Sequence, residues 1–145
     1  KPGYISQYNH ITSCDPVVVN GEYAFVTLRS GNNCRNVINE LNVVSIKDIQ
    51  NPFLIKAYPM FNPHGLGIDD NVLFICDGAE GLKIYDASDV EKIDENMIVH
   101  FAEIQTFDVI PFSNIIIMTG ADGIYQYDYS DIQNIKEISH LPVIK

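Results

Sequence analysis

The sequence predicts an all-β fold: a β-propeller fragment of about three four-stranded antiparallel blades plus one orphan outer strand. Three observations predict it. Short runs rich in Val, Ile, Phe and Tyr recur with a period of about forty residues, the length of a propeller blade. The runs are joined by tight polar turns. No apolar stripe of helical spacing is long enough for a real helix. The nearest candidate, Ser88–Asn96, is short and polar and reads as a loop or one helical turn.

The first unit of each repeat is a hairpin. It spans Asp15–Thr27, His64–Cys76 and Asp108–Thr119. In the first copy Asn20-Gly21 is a strong two-residue turn signal, since both residues tolerate positive φ. Asp70-Asn71 and Ser113-Asn114 are weaker versions. A third strand follows in each: Leu41–Ile49, Leu82–Val90 and Ile124–Ile132. A fourth is read at Asn51–Tyr58 and again at Asn134–Leu141. The same grammar opens the chain, where Lys1–Tyr8 resembles Asn51–Tyr58. Residues 1–13 are therefore assigned to the outer strand of a preceding blade. Residues 14–61, 62–104 and 105–145 are assigned to three blades of a single partial propeller.

Three blades do not close a ring, since propellers typically have four to eight. The expected completion is further blades of a longer chain, with a homo-oligomer or an open wedge as alternatives. The chain begins at Lys1 and reads as a mature product or an excised piece.

Composition limits the partners. The 145 residues carry a net charge of −10, which opposes binding to nucleic acid or to an anionic membrane surface. With 46% hydrophobic and 19% charged residues the chain is globular rather than disordered. No run is long enough for a transmembrane segment.

Trp is absent and no Gly-Gly pair occurs, which argues against the Trp-Asp, Asp-box and kelch repeats. Three strings carry a positive resemblance. They are Cys14-Asp15-Pro16-Val17-Val18-Val19 with Tyr23–Gly31, Asn62–Ile68 with Cys76-Asp77-Gly78, and Gly81–Asp89. Over roughly residues 14–90 they resemble the LVIVD repeat family of bacterial β-propellers. The last blade fits more loosely, with Asp108-Val109 where a Gly-rich strand start is expected. The resemblance implies an exported bacterial protein of the cell surface, periplasm or extracellular space, often a lipoprotein. It implies no particular activity.

Topology gathers scattered residues onto one face. The start of each first strand and each second-to-third strand loop lie at the same end. That end collects Cys14, Asp15, Arg29, the long loop Ser30–Glu40, Asn62, His64, Asp77, Glu80, Asp108 and Asp122. Long propeller loops are where binding is commonly built. Arg29, Arg35, His64 and Asp77 are the ligand-binding candidates. Cys14 and Cys34 could form a disulfide that pins the long loop in an oxidising compartment. Cys76 reads as a buried small hydrophobe. Asp15, His64 and Asp108 form the one candidate cation set, at the channel mouth. Ordering of loops by the Asp side chains is the favoured reading of those carboxylates.

Other motifs are read as structural. Tyr85–Asp89 and Tyr127–Asp131 resemble paired acids, but Asp and Ser there fit turn-fixing bonds to backbone N–H groups. Gly65-Leu66-Gly67 lacks the rest of a nucleotide loop, and no hydrolase, metalloprotease or P-loop motif occurs. No cofactor and no catalytic residue is assigned, apart from the divalent cation. The leading expectation is a non-enzymatic module binding an extracellular protein, glycan or similar ligand. An enzyme with a channel-mouth site is the rival.

Overall fold

A computed structural model describes residues 3–8, 16–31 and 38–144. It is all-β, with twelve strands among the described residues. The first sheet holds β1 (Val17–Asn20), β2 (Tyr23–Leu28), β3 (Glu40–Ser45) and β4 (Phe53–Pro59). The second holds β5 (Leu66–Asp69), β6 (Val72–Cys76), β7 (Leu82–Asp86) and β8 (Met97–Phe101). The third holds β9 (Thr106–Phe112), β10 (Ile115–Gly120), β11 (Gly123–Asp128) and β12 (Lys136–Pro142). Each sheet is antiparallel and follows chain order. The expected three four-stranded blades are present, as a propeller-like fragment whose sheets do not close into a ring. Ser88–Asn96 contains a single 3-10 turn at Ile93–Glu95.

The period-2 alternation of the strands places the core between the blades. Leu73, Ile75 and Tyr85 of the middle blade pack with Phe25, Leu41, Val43 and Tyr58 of the first. Their sequence neighbours Phe74, Cys76, Leu82 and Ile84 face the third blade, against Val109, Ile116, Met118, Tyr125 and Tyr127. The middle blade therefore reads as a nearly continuous apolar run because both of its faces are covered. The innermost strands approach closely. A Cβ on Gly67 would lie 2.3 Å from Pro111 Cδ, so only glycine fits where β5 meets β9.

Two details differ from the sequence reading. The first hairpin loop is Gly21-Glu22, not Asn20-Gly21, because Asn20 pairs with Tyr23. Only Gly21 has positive φ there, the pattern of a II′ turn with Gly in its first central position. The loop with both central residues at positive φ is Ser113-Asn114, at 50° and 64°. The second difference is at the start. Residues 3–8 are irregular and not the expected strand.

The repeated acids fix turns, as their spacing predicts. Asp86 accepts from Ser88 N and Asp128 from Ser130 N, both at 2.8 Å. Asp48 does the same for Gln50 N at 2.9 Å. These bonds to the ionised form lower all three carboxyl pKa values, with Asn51 the leading cause at Asp48.

Candidate functional site

The end of β2 and the link from β4 to β5 build one corner of the loop face. Thr27 Oγ1 donates to the His64 carbonyl at 2.6 Å and fixes where His64 sits. Two residues on, Arg29 Nη1 lies 3.2 Å from His64 Nε2. A guanidinium can only donate, so Nε2 accepts and the proton of the neutral ring is on Nδ1. Burial lowers the His64 pKa, and the Arg29 charge lowers it further, against a smaller opposing pull from Asp77. The ring is half-buried and stands edge-on to Phe107, with centroids 5.4 Å apart. Among the described residues Arg29 has no carboxylate partner within ion-pair distance.

Asp77 is placed as an internal strut. It is wholly buried, and its oxygens accept from Asn62 N at 2.8 Å, Phe61 N at 3.2 Å and Lys83 Nζ at 2.6 Å. These bonds commit both of its oxygens to the chain itself. Its function is to hold the Phe61-Asn62 link, and through it His64, against the middle blade. Glu80 adds a longer ion pair to Lys83, at 3.9 Å.

Sequence reasoning missed two residues of this corner. Lys83 lies in β7 between buried Leu82 and Ile84, and its strand position aims it at a blade interface. A lysine there requires a carboxylate, and that requirement was the available signal. Asn39 accepts from Ser30 N and donates to Phe61 O, each at 2.7 Å, closing the base of the long loop. No local pattern marks it.

The remaining candidates are dispersed. Cys14, Asp15, Cys34 and Arg35 lie outside the described residues, so the disulfide and one cation ligand lie there too. Asp108 is exposed, pairs with Thr119 inside β9, and accepts from Val109 N at 3.0 Å. Strand β9 begins at Thr106, so Asp108 is within the strand rather than at its start. Asp122 accepts from the Tyr125 hydroxyl at 2.7 Å. Among the described residues no three His, Cys, Asp or Glu side chains are grouped to hold a metal ion. Cys76 is buried, as its strand position predicts, and burial pushes its thiol up to about 12. A thiol held that high is not a nucleophile at neutral pH.

A second concavity lies at the opposite end of the strands. An open groove of about 760 Å³ runs between the first two blades, lined by Glu22, Lys47, Phe53, Ser88, Asp89 and Glu91 among others. Lys47 pairs with Glu22 at 3.4 Å across its rim, with both side chains exposed.

Compared with known proteins, the sequence matches no family model and no curated protein.

Proposed function

We propose that this chain is a non-enzymatic binding module, part of an exported or surface-associated bacterial propeller of the LVIVD type. Its ligand is engaged by the loop face around Arg29 and His64. The observation that carries the reading is the Arg29–His64 pair. A guanidinium rests on a neutral imidazole at the edge of the loop face, without a carboxylate among the described residues, in a chain of net charge −10. The imidazole spends its lone pair orienting the guanidinium but leaves the charge uncompensated. A positioned guanidinium is suited to a carboxylate in a bidentate geometry. The ligand class that fits is a carboxylate-bearing glycan or peptide outside the cell. Asp77 and Asn39 support the pair from behind and touch no ligand.

The test is an NMR titration of the 145-residue chain with glucuronate and with an acetylated amino acid. Arg29 and His64 resonances shift, and Arg29→Ala weakens the interaction by about tenfold, the effect of one charge-assisted contact. Binding that is unchanged in Arg29→Ala, or shifts confined to the groove at Glu22 and Glu91, contradicts the reading. The enzyme alternative predicts turnover of such compounds, which the same samples would reveal as product signals.

A further inference from the structure

Two phenyl rings stand exposed at the corner that holds Arg29 and His64. Phe61, in the link from β4 to β5, is 56% exposed. Its N–H donates to Asp77 at 3.2 Å, and its carbonyl accepts from Asn39 Nδ2 at 2.7 Å. The residue before it is tied as well, since Met60 N donates to Asn39 O at 3.0 Å. The backbone is therefore pinned at consecutive groups while the ring stays in water, where it forfeits the gain of burial. The same Asn39 side chain reaches towards Arg29. Its Oδ1 accepts from Ser30 N at 2.7 Å, so one amide bridges the residue after Arg29 to Phe61.

Phe107 borders the corner from the third blade. Its ring meets His64 edge-on at 5.4 Å and is 37% exposed. Its carbonyl accepts from Gly65 N at 2.9 Å. That approach needs glycine at position 65, since a Cβ there would lie 2.9 Å from Asp108 Cα. With Arg29 Nη1 3.2 Å from His64 Nε2, guanidinium, imidazole and phenyl touch in succession.

These parts ask for one kind of ligand. The guanidinium takes a carboxylate. The two exposed rings reward an apolar group carried close to that carboxylate. A sugar acid carries hydroxyls there instead, and these lose their water against phenyl carbon. The last residue of a peptide carries its side chain one carbon from its carboxylate.

We infer that this corner takes the C-terminal carboxylate of a peptide whose last residue is large and apolar. The carboxylate pairs with Arg29, and the last side chain lies against Phe61 and Phe107. The inference rests on the carboxylate site proposed at Arg29 and narrows its ligand from glycans and peptides to peptide C-termini.

NMR titration of the 145-residue chain with four probes tests it: acetylphenylalanine, acetylglycine, glucuronate and acetylphenylalaninamide. Acetylphenylalanine binds about tenfold more tightly than acetylglycine or glucuronate, the scale of one partly buried apolar side chain. It shifts the ring protons of Phe61 and Phe107 together with those of His64. The amide, which lacks the carboxylate, binds about tenfold more weakly than the acid. Phe61→Ala brings acetylphenylalanine down to the level of acetylglycine and leaves acetylglycine unchanged. The comparison of the four probes on the unaltered chain holds whether or not that variant folds. If acetylglycine shifts Arg29 and acetylphenylalanine binds no more tightly, the inference fails and the carboxylate site stands. A preference for glucuronate overturns it in favour of a glycan. A folded Phe61→Ala variant that weakens both acids alike also overturns it. If no probe moves Arg29 or His64, the carboxylate site itself is wrong and the inference falls with it.

Discussion

The middle and third blades are written in the same grammar and meet different surroundings. In the middle blade Phe74 and Leu82 are 0% exposed, because the third blade covers them. The register equivalents on the third blade are Ile117 and Ile124, with Ile110 opposite Ile117 and Leu141 opposite Ile124. No sheet among the described residues covers that face, and Ile110 and Leu141 are 58% and 68% exposed. A contiguous apolar sheet face of this kind marks an interaction surface. The comparison teaches that apolar alternation on both faces of a strand encodes neighbours on both sides, whether or not those neighbours are in the chain.

The largest test of this contrast is truncation at equivalent positions. Phe74→Ala should cost about 3–5 kcal/mol of stability, since it removes a buried ring and leaves a cavity. Ile117→Ala should cost under about 1 kcal/mol, because little is buried there. Urea denaturation of the two variants measures the gap, and equal costs would mean the third blade's outer face is covered in solution.

Next in size is a pair of acids. Asp77→Ala leaves the Phe61 and Asn62 N–H groups without their acceptor and Lys83 with only its longer pair to Glu80, so a loss of about 3–5 kcal/mol is expected. Asp108→Ala on the exposed third blade should cost under about 1 kcal/mol. Near-equal midpoints for the two variants would show that Asp77 is not the strut described.

The pH dependence is smaller and has a fixed sign. The folded His64 pKa lies below its unfolded value near 6.5, so folding favours the neutral ring. Its contribution is fully present above about pH 6.5 and is lost as pH falls through the lower folded value. His64→Gln should flatten that part of the stability profile. Arg29→Ala should raise the His64 pKa, as an NMR titration of the ring protons would show. A fall, or no change, would mean the guanidinium is not beside the ring. The smallest effect belongs to the Lys47–Glu22 pair, where two exposed side chains should leave the melting temperature unmoved when either is replaced by Ala.

Much of the fold was legible because it is repeated. The alternation of Leu73, Phe74, Ile75 and Cys76 announces a strand buried on both faces. The Asp–x–Ser spacing at Asp86 and Asp128 announces the turns those carboxylates fix. The Gly21 loop slipped by one residue because Asn20-Gly21 and Gly21-Glu22 both satisfy a two-residue turn, and only strand pairing chooses between them. The loop-face corner was legible in part. Topology brought Arg29, His64 and Asp77 to one end, but not which of them is spent on the chain itself. Asp77 is consumed by two N–H groups from a distant link and by Lys83, and such long-range partners leave no local pattern.

Hydrogen exchange of the intact chain, resolved strand by strand, tests the central contrast most directly. The account predicts the slowest exchange in β6 and β7, at the centre of the one blade covered on both faces among the described residues, and the fastest in residues 3–8 and β12. Comparable protection in β6, β7 and β12 would contradict it, because the third blade would then be as fully enclosed in solution as the middle one.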